Sequence, residues 1–148
     1  MTSMASMSAA EVVANYYEAY QAGDLVRTAT LVHEDCIIDE PDFLPYGRVD
    51  IIGAQDMFDR IGGTFFQLFR EDTRLEETCY FEHGSSVITS SIWIMTGKFT
   101  GETIRCHYQE YFEVEDGRIR LMRPFYHAAR AMLAEIDAAE KAGVSLEL

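Results

Sequence analysis

The sequence predicts an α+β domain in which helices pack on the concave face of a curved antiparallel sheet. Near the start of the chain and at its end, apolar residues recur every three or four positions, which is typical of amphipathic helices. Between residues 73 and 126 the period changes to two, and turn signals divide this stretch into long consecutive strands. Such a sheet is expected to curl, and a pocket should form between it and the helices.

Composition and charge narrow the class of protein. A length of 148 residues with 48% hydrophobic residues fits one domain, residues 1–148. The net charge of −13 argues against nucleic acid and anionic membranes as partners. Three widely separated cysteines favour a reducing compartment over a disulfide framework. Because the start of the chain does not resemble a signal peptide and no apolar run is long enough to span a membrane, a cytoplasmic protein is expected.

Two short helices are predicted after residues 1–7, which are expected to be disordered. Ser8 and Glu11 have the S-x-x-E spacing of a capping box and should begin the first helix, which Gly23 ends. Asp24 caps a second, shorter helix that is predicted to reach about residue 33. One face of the first helix carries apolar and aromatic residues at helical spacing, namely Val13, Tyr16, Tyr17 and Tyr20.

The middle of the chain is predicted to contain a short strand, a loop and a third helix. The strand covers residues 36–38 and runs into Asp39-Glu40-Pro41, where the proline ends regular structure. Residues 42–50 form the loop. Gly53 opens the third helix, which has Phe58 on its apolar side and is weakened near its middle by a pair of glycines.

Four consecutive strands and a last helix complete the chain. The first of these strands begins at Thr73, and the others are predicted to cover residues 87–99, 101–114 and 118–126. Turns are expected at residues 83–86 and 100–102, and Asp116-Gly117 is a hairpin signal before the last strand. The final amphipathic helix is predicted to end near Gly143.

The strand at residues 101–114 places a carboxyl group on an apolar face. Side chains of a strand alternate between two faces, so Glu110 lies on the same side as Cys106, Tyr108 and Phe112. This face is the more apolar one and is predicted to point inward. Burying a carboxylate is costly unless it is paired, hydrogen-bonded or protonated. Either the face assignment is wrong or Glu110 has a function.

Several short motifs, in this order and at this spacing, resemble the NTF2-like superfamily, which is also called SnoaL-like or ketosteroid-isomerase-like. They are Ala-Gly-Asp at residues 22–24, Glu-Pro at 40–41 followed by Leu-Pro-Tyr-Gly at 44–47, and D-G-R-I-x-x-x-R-P-F-Y at 116–126. The resemblance covers roughly residues 9–139. It implies a cone-shaped fold whose pocket lies between the concave sheet and the helices.

The site residues are closest in pattern to bacterial ketosteroid isomerases, and this resemblance implies three catalytic groups. Tyr16, seven residues before Gly23, matches a tyrosine that donates a hydrogen bond to the enolate oxygen. Glu40 matches the general base. Glu110, nine residues beyond Gly101, matches a protonated carboxylic acid that donates to the same oxygen.

The resemblance has departures that bear on specificity. Both carboxyl groups are glutamates where ketosteroid isomerases have aspartates, and Ile61 lies near the position of a supporting tyrosine, so steroid specificity does not carry over. SnoaL-type polyketide cyclases have a catalytic aspartate ten residues past the glycine of the last hairpin. His127 occupies that position here and is predicted to serve as an acid or base. The resemblance therefore implies an isomerase or cyclase that works without a cofactor on a small hydrophobic carbonyl compound.

Register carried over from the family, together with the helix faces, predicts the walls of the substrate pocket. These are Tyr20, Phe58, Trp93, Met95, Tyr108, Phe112, Met122 and Tyr126. The opposite face of the sheet carries Ile88, Ile92 and Ile94 and needs a cover, which homodimerisation, common in this superfamily, would supply. The four histidines have no metal-ligand spacing, so no metal site is predicted.

Each assignment has a structural alternative. Glu110 could be paired with an arginine, with Arg105, Arg120 and Arg123 as candidates. Glu40 could cap the following loop, and Tyr16 could simply pack in the core. The second hypothesis is that the whole domain is a non-catalytic, dimeric ligand-binding module. A third possibility, an epoxide hydrolase, requires an Asp–Arg–Asp set that the sequence does not offer clearly.

Overall fold

The computed structural model describes residues 6–146. The predicted disorder of residues 1–7 lies outside this range except for residues 6 and 7, which precede the first helix without regular structure. The helices are α1 (Ala9–Gln21), α2 (Leu25–Leu31), α3 (Gly53–Asp56), α4 (Gly63–Leu68) and α5 (Ala129–Lys141). The strands are β1 (Val32–Ile38), β2 (Ile51–Ile52), β3 (Arg74–His83), β4 (Ser86–Thr96), β5 (Thr103–Glu115) and β6 (Arg118–Tyr126).

The strands form one six-stranded, curved and unclosed sheet in the order β2-β1-β6-β5-β4-β3, and the predicted α+β class is confirmed. Strands β3 to β6 are antiparallel neighbours, as expected from their turns. The pairing of β1 with β6 is parallel, which differs from the expected antiparallel sheet. No hairpin connects these two strands, so no tight turn forces them to run in opposite directions.

Both predicted helix starts are confirmed by their caps. The Ser8 hydroxyl accepts a hydrogen bond from the backbone N–H of Glu11 at 3.2 Å. The Asp24 carboxylate accepts from the backbone N–H of Arg27 at 2.9 Å. Each cap satisfies a backbone donor that the first helical turn leaves free.

The predicted boundary between α2 and β1 is wrong by a few residues. Helix α2 ends at Leu31, and β1 begins at Val32 instead of at residue 36. Val32 pairs with Ile119 of β6, which is distant in the sequence. This pairing with a remote strand overrides the local preference for helix.

The third predicted helix is continuous but irregular. A π-helical segment, Met57–Gly62, joins α3 to α4. The glycine pair at 62–63 therefore falls at the junction between π and α geometry and does not end the helix. Single π-helical turns inside α-helices are often found at functional sites, and this one borders the cavity described below.

A buried carboxylate fixes α5 to the turn between β4 and β5. Glu135 is 0% exposed and accepts hydrogen bonds from the backbone N–H groups of Phe99 at 2.6 Å and Thr100 at 3.1 Å. The Thr100 hydroxyl donates to the same carboxylate at 2.6 Å. A side chain at Gly97 would overlap this carboxylate, so the close approach requires glycine.

Among the described helices, none has both the length and the apolar character needed to cross a membrane.

Candidate active site

A cavity of about 490 Å³ lies between the concave face of the sheet, α1 and the α3–α4 region. Its walls are largely aromatic and include Tyr20, Phe58, Phe65, Trp93, Tyr108 and Tyr126. Glu40 contributes a carboxyl group to the lining, and a second one comes from the exposed Glu71. The size and the apolar lining are those of a small-molecule site.

Glu40 is placed in the cavity by the end of β1. The backbone N–H of Asp39 donates to the carbonyl of Met122 at 2.8 Å, which continues the pairing with β6. The Asp39 side chain lies on the other side of the chain and binds Arg123 at 2.8 Å. Because side chains alternate along an extended segment, Glu40 faces inward while Asp39 faces solvent. The structure thus brings Glu40 to the pocket, as predicted.

The Glu40 carboxyl group is in an environment that favours its protonated form. The residue as a whole is half-buried, but its Oε2 atom is fully buried and has no hydrogen-bond partner within residues 6–146. Burial, followed by the neighbouring Glu110, raises the pKa of Glu40 well above its ordinary value, and a smaller opposing effect of the Tyr126 hydroxyl lowers it. The unpaired oxygen also argues against the alternative in which Glu40 caps the following loop.

Glu110 lies on the inner face of β5, as the alternation predicts, and is 3% exposed. Its Oε1 atom accepts hydrogen bonds from the hydroxyls of Tyr17 at 2.9 Å and Tyr108 at 2.8 Å. The Tyr17 hydroxyl also lies 2.7 Å from the hydroxyl of Thr89. Burial raises the pKa of Glu110 to about 7, while the two phenol hydroxyls lower it and so limit the rise.

The arginine alternative for Glu110 is wrong. Arg123 binds Asp39 on the outside of the sheet, and Arg120 pairs with Glu115 at 3.4 Å. Arg105 pairs with Ile94 across the strands and lies on the outer face. Phenol hydroxyls, and not a guanidinium group, therefore satisfy the buried carboxyl.

The α1 residue that hydrogen-bonds to Glu110 is Tyr17, and not Tyr16, which was predicted to donate to the same enolate oxygen as Glu110. Tyr16 is equally buried, but its hydroxyl contacts the Met57 sulfur at 3.3 Å. Successive residues of an α-helix point in directions about 100° apart. Both tyrosines belong to the apolar face that the sequence identifies, so periodicity alone does not separate them. Only the position of α1 on the sheet decides which hydroxyl reaches Glu110.

His127 is not brought to this cluster. It is exposed, and its Nε2 lies 2.6 Å from the amide oxygen of Gln109, which belongs to the outer face of β5. The register of β6 shifts opposite Glu113 and Val114, which gives this strand one extra residue at Arg120. A one-residue bulge reverses the inner–outer alternation of the residues that follow it in β6. Counting from the hairpin glycine therefore predicts the inner face for His127, whereas the residue lies on the outer face.

The predicted pocket walls divide into two groups. Tyr20, Phe58, Trp93, Tyr108 and Tyr126 line the cavity. Met95, Phe112 and Met122 are each 0% exposed and belong to the packed core instead. Phe112 illustrates the reason, because the rings of Tyr16 and Tyr17 cover it at centroid distances of 5.9 and 5.7 Å.

Some site residues were missed by the sequence analysis. Phe65 and Phe66 line the cavity, although the sequence shows them only as apolar residues of a weakened helix. Tyr46 is fully buried beside Glu40, and its hydroxyl has no partner in the described part of the chain. The adjacent Pro45 and Gly47 indicate a turn but not the direction of the tyrosine.

The two buried carboxyl groups form one electrostatic unit. Burial is the largest cause of the raised pKa values of Glu40, Tyr20 and Tyr126, and the charge of Glu110 raises all three further. Glu110 has two hydroxyl donors to stabilise its charge, whereas the buried Oε2 of Glu40 does not share them. As the pH rises, Glu110 therefore loses its proton first, and the remaining proton of the pair stays on Glu40, at the cavity surface. A carboxyl group with a raised pKa at the surface of a cavity is suited to taking up and releasing a proton.

Comparison with known proteins identifies the family. Residues 13–122 match the model of the SnoaL-like domain. No curated protein matches the sequence.

Among solved structures, an NTF2-like protein of unknown function from Burkholderia pseudomallei is 21% identical with a TM-score of 0.76, over 89% of this chain and 100% of that one. IdmH from Streptomyces antibioticus, assigned as a polyketide cyclase, is 19% identical with a TM-score of 0.72, over 88% and 99%. TerC, co-crystallised with polyporic acid, is 15% identical with a TM-score of 0.70, over 85% and 98%. These likenesses show the NTF2-like fold, and the match over residues 13–122 shows that this chain belongs to the SnoaL-like family.

Proposed function

We propose that this protein is an acid–base enzyme of the isomerase or cyclase type that moves a proton on a small hydrophobic carbonyl compound. The observation that carries the proposal is the buried Oε2 of Glu40, which has no partner in residues 6–146 and belongs to the lining of an aromatic cavity. A buried carboxyl group with a raised pKa, placed at the surface of a cavity, is suited to general acid–base catalysis. The family membership and the similarity to IdmH, which is assigned as a polyketide cyclase, support the same class.

In the proposed step, the Glu40 carboxylate removes a proton from the carbon next to a substrate carbonyl. The C–H bond breaks, an O–H bond forms on Glu40, and the electron pair moves to the carbonyl oxygen to give an enolate. Return of the proton to another carbon completes an isomerisation. Attack of the enolate carbon on a second carbonyl of the same molecule completes a ring closure, after which Glu40 protonates the new alkoxide.

The donors for the enolate oxygen are proposed to be hydroxyls of the cavity wall. Tyr20 and Tyr126 line the cavity, and burial, followed by the nearby Glu40 carboxyl, raises the pKa of each. Phenol hydroxyls whose pKa stays high remain protonated and can donate a hydrogen bond to the developing charge. These tyrosines take the role that the sequence resemblance gave to Tyr16 and Glu110.

Glu110 is proposed to act on Glu40 and not on the substrate. Its carboxyl group does not belong to the cavity lining, and two hydroxyls occupy its Oε1. Its negative charge raises the pKa of Glu40 and so makes the Glu40 carboxylate a stronger base. Glu110 is thus a positioning and tuning residue.

Exchange of hydrogen for deuterium at the carbon next to a carbonyl tests the proposal without knowledge of the natural substrate. A panel of cyclic ketones, with 1-tetralone as the first member, is incubated with the protein in deuterium oxide and followed by NMR. The wild type should accelerate exchange, and the rate should rise with pH as Glu40 loses its proton. Glu40→Gln should abolish the acceleration, whereas the matched variant Glu71→Gln, at an exposed position of the lining, should retain it.

The outcome also separates the alternatives. Ketones that bind without accelerated exchange would contradict the proposal and support a non-catalytic ligand-binding domain. Equal exchange by wild type and Glu40→Gln would show that another group moves the proton. An epoxide hydrolase receives no support, because neither Asp nor Arg occurs among the described residues that line the cavity.

We also propose a homodimer formed through the outer face of the sheet. Phe81, Ile88 and Phe125 are 61%, 47% and 48% exposed, and Phe81 pairs directly with Ile88. Ile88 in turn pairs with Tyr111 of β5, so the apolar surface continues across three strands. A second copy would remove this surface from water, which is the expected fate of a large exposed apolar patch.

A further inference from the structure

Trp93 carries a buried polar atom that the proposed reaction does not use. It lies on the inner face of β4, opposite Cys106 of β5, and its ring lines the cavity. Its indole N–H is buried and has no hydrogen-bond partner in the part of the chain from residue 6 to residue 146. An indole N–H can only donate, so this position lacks an acceptor.

The groups around Trp93 do not supply that acceptor. Tyr108 packs edge-on against the indole at a centroid distance of 5.9 Å, and its hydroxyl donates to Glu110. Phe65 covers another side at 6.1 Å and has no polar atom in its side chain. A buried donor without a partner is costly and rare in native proteins, which indicates that a bound molecule completes it.

Trp93 and Glu40 lie at two ends of one aromatic wall. From the indole, the wall continues to Tyr108 at 5.9 Å and from there to Tyr126 at 4.9 Å. Tyr126 is the ring next to Glu40, whose charge raises the pKa of its hydroxyl. The cavity therefore has a proton-transfer end and a donor end, separated by rings that favour a flat, apolar molecule.

Resting on the proposed function, we infer that Trp93 is a specificity residue whose indole N–H binds a second acceptor oxygen of the substrate, at the end opposite the reacting carbonyl. The substrate class is then a flat ring compound with two carbonyl-type oxygens at opposite ends. A ligand without the second oxygen leaves the N–H buried and unpaired. Such a ligand should bind about tenfold more weakly or worse.

Two ligands of matched shape test this inference. They are 6-acetyl-1-tetralone, which has carbonyl oxygens at both ends, and 6-isopropyl-1-tetralone, in which a methyl group replaces the second oxygen. Trp93 is the only tryptophan of the chain, so ¹⁵N-labelled protein gives a single indole N–H signal that reports on this site alone. The ligand with two carbonyl groups, 6-acetyl-1-tetralone (below, the dione), should move this signal to lower field. It should bind about tenfold more tightly than 6-isopropyl-1-tetralone.

A variant of the protein provides the control. Trp93→Phe keeps an aromatic ring in the wall and removes the N–H, so the two ligands should bind with similar dissociation constants, measured by calorimetry. Equal effects of both ligands on the wild-type indole signal would overturn the inference, and so would failure of the dione to bind at its solubility limit. Preference for the dione that persists in Trp93→Phe would do the same. Because these measurements need no turnover, they can succeed even if the deuterium-exchange test fails.

Discussion

The hydrogen bond from Tyr17 should help to determine the pH at which Glu110 ionises. Tyr17→Phe removes that bond and the 2.7 Å contact with the Thr89 hydroxyl, which carries no charge. The Tyr17 hydroxyl lies 2.9 Å from Oε1 and is one of two donors that limit the rise of the Glu110 pKa to about 7. A hydrogen bond to a charged group contributes about 1.5–3 kcal/mol. Since one pKa unit corresponds to about 1.4 kcal/mol, the variant should raise the pKa of Glu110 by about one to two.

The raised pKa of Glu110 makes the free energy of unfolding depend on pH, and the direction of that dependence can be worked out. Between the ordinary carboxyl value of 4.5 and about 7, folded Glu110 keeps a proton that the unfolded chain has lost. The free energy of unfolding therefore falls as the pH rises through this window. Tyr17→Phe extends the window above 7. Because pH 8 lies only one unit above the wild-type pKa, the destabilising effect of the variant should be about 1–1.4 kcal/mol larger at about pH 8 than at about pH 5.

Urea unfolding at the two pH values, followed by circular dichroism, measures the effect. Tyr16→Phe is the matched control, because the neighbouring hydroxyl contacts only the Met57 sulfur. Its destabilisation should be the same at both pH values. In a Glu110→Gln background the pH-dependent part of the Tyr17→Phe effect should vanish. A Tyr17→Phe effect that is equal at both pH values would refute the assignment of Tyr17 as the donor that tunes Glu110.

Two further variants, each with a control variant, test the fold and the proposed dimer. Gly97→Ala should lower the free energy of unfolding by about 1–3 kcal/mol, because the new methyl group overlaps the buried Glu135 carboxylate. Gly63→Ala meets no neighbouring atom and should be neutral or slightly stabilising in the same urea titration. Ile88→Glu on the outer sheet face should convert the dimer to a monomer in size-exclusion chromatography with light scattering. Val26→Glu, at a residue of α2 that is 79% exposed, should leave the dimer intact, and a wild-type monomer would contradict the proposed interface.

The features that the sequence predicted well are local in origin. The alternation along residues 101–114 assigned Glu110 to the inner face, and the structure buries it there. The capping box at Ser8 and the Asp-Gly hairpin at residues 116–117 also give the observed starts and turns. These signals depend on neighbours in the chain, so they can be recognised without knowing the tertiary structure.

The errors arise where distant parts of the chain meet. Whether Tyr16 or Tyr17 reaches Glu110 depends on how α1 packs on the sheet. The two tyrosines are adjacent in the helix, so a small rotation of α1 decides which hydroxyl points to Glu110. The same placement decides that Phe112 is covered while Trp93 faces the cavity. The bulge in β6 places His127 on the outer face, and no turn-forming residue in the sequence indicates that bulge. Helix placement and strand register are long-range properties that periodicity does not encode.

The central claim is that the cavity holds a protonated Glu40 at neutral pH. Infrared spectroscopy measures this directly, because the C=O stretch of a protonated carboxyl group is separated from the carboxylate and amide bands. The wild type at about pH 8 should show one such band from the buried pair, above the Glu110 pKa of about 7, and Glu40→Gln should remove it. Glu110→Gln should lower the pH at which the band disappears, since a neighbouring negative charge is lost. A band that survives in Glu40→Gln and is lost in Glu110→Gln would place the proton on Glu110 and would contradict a protonated Glu40.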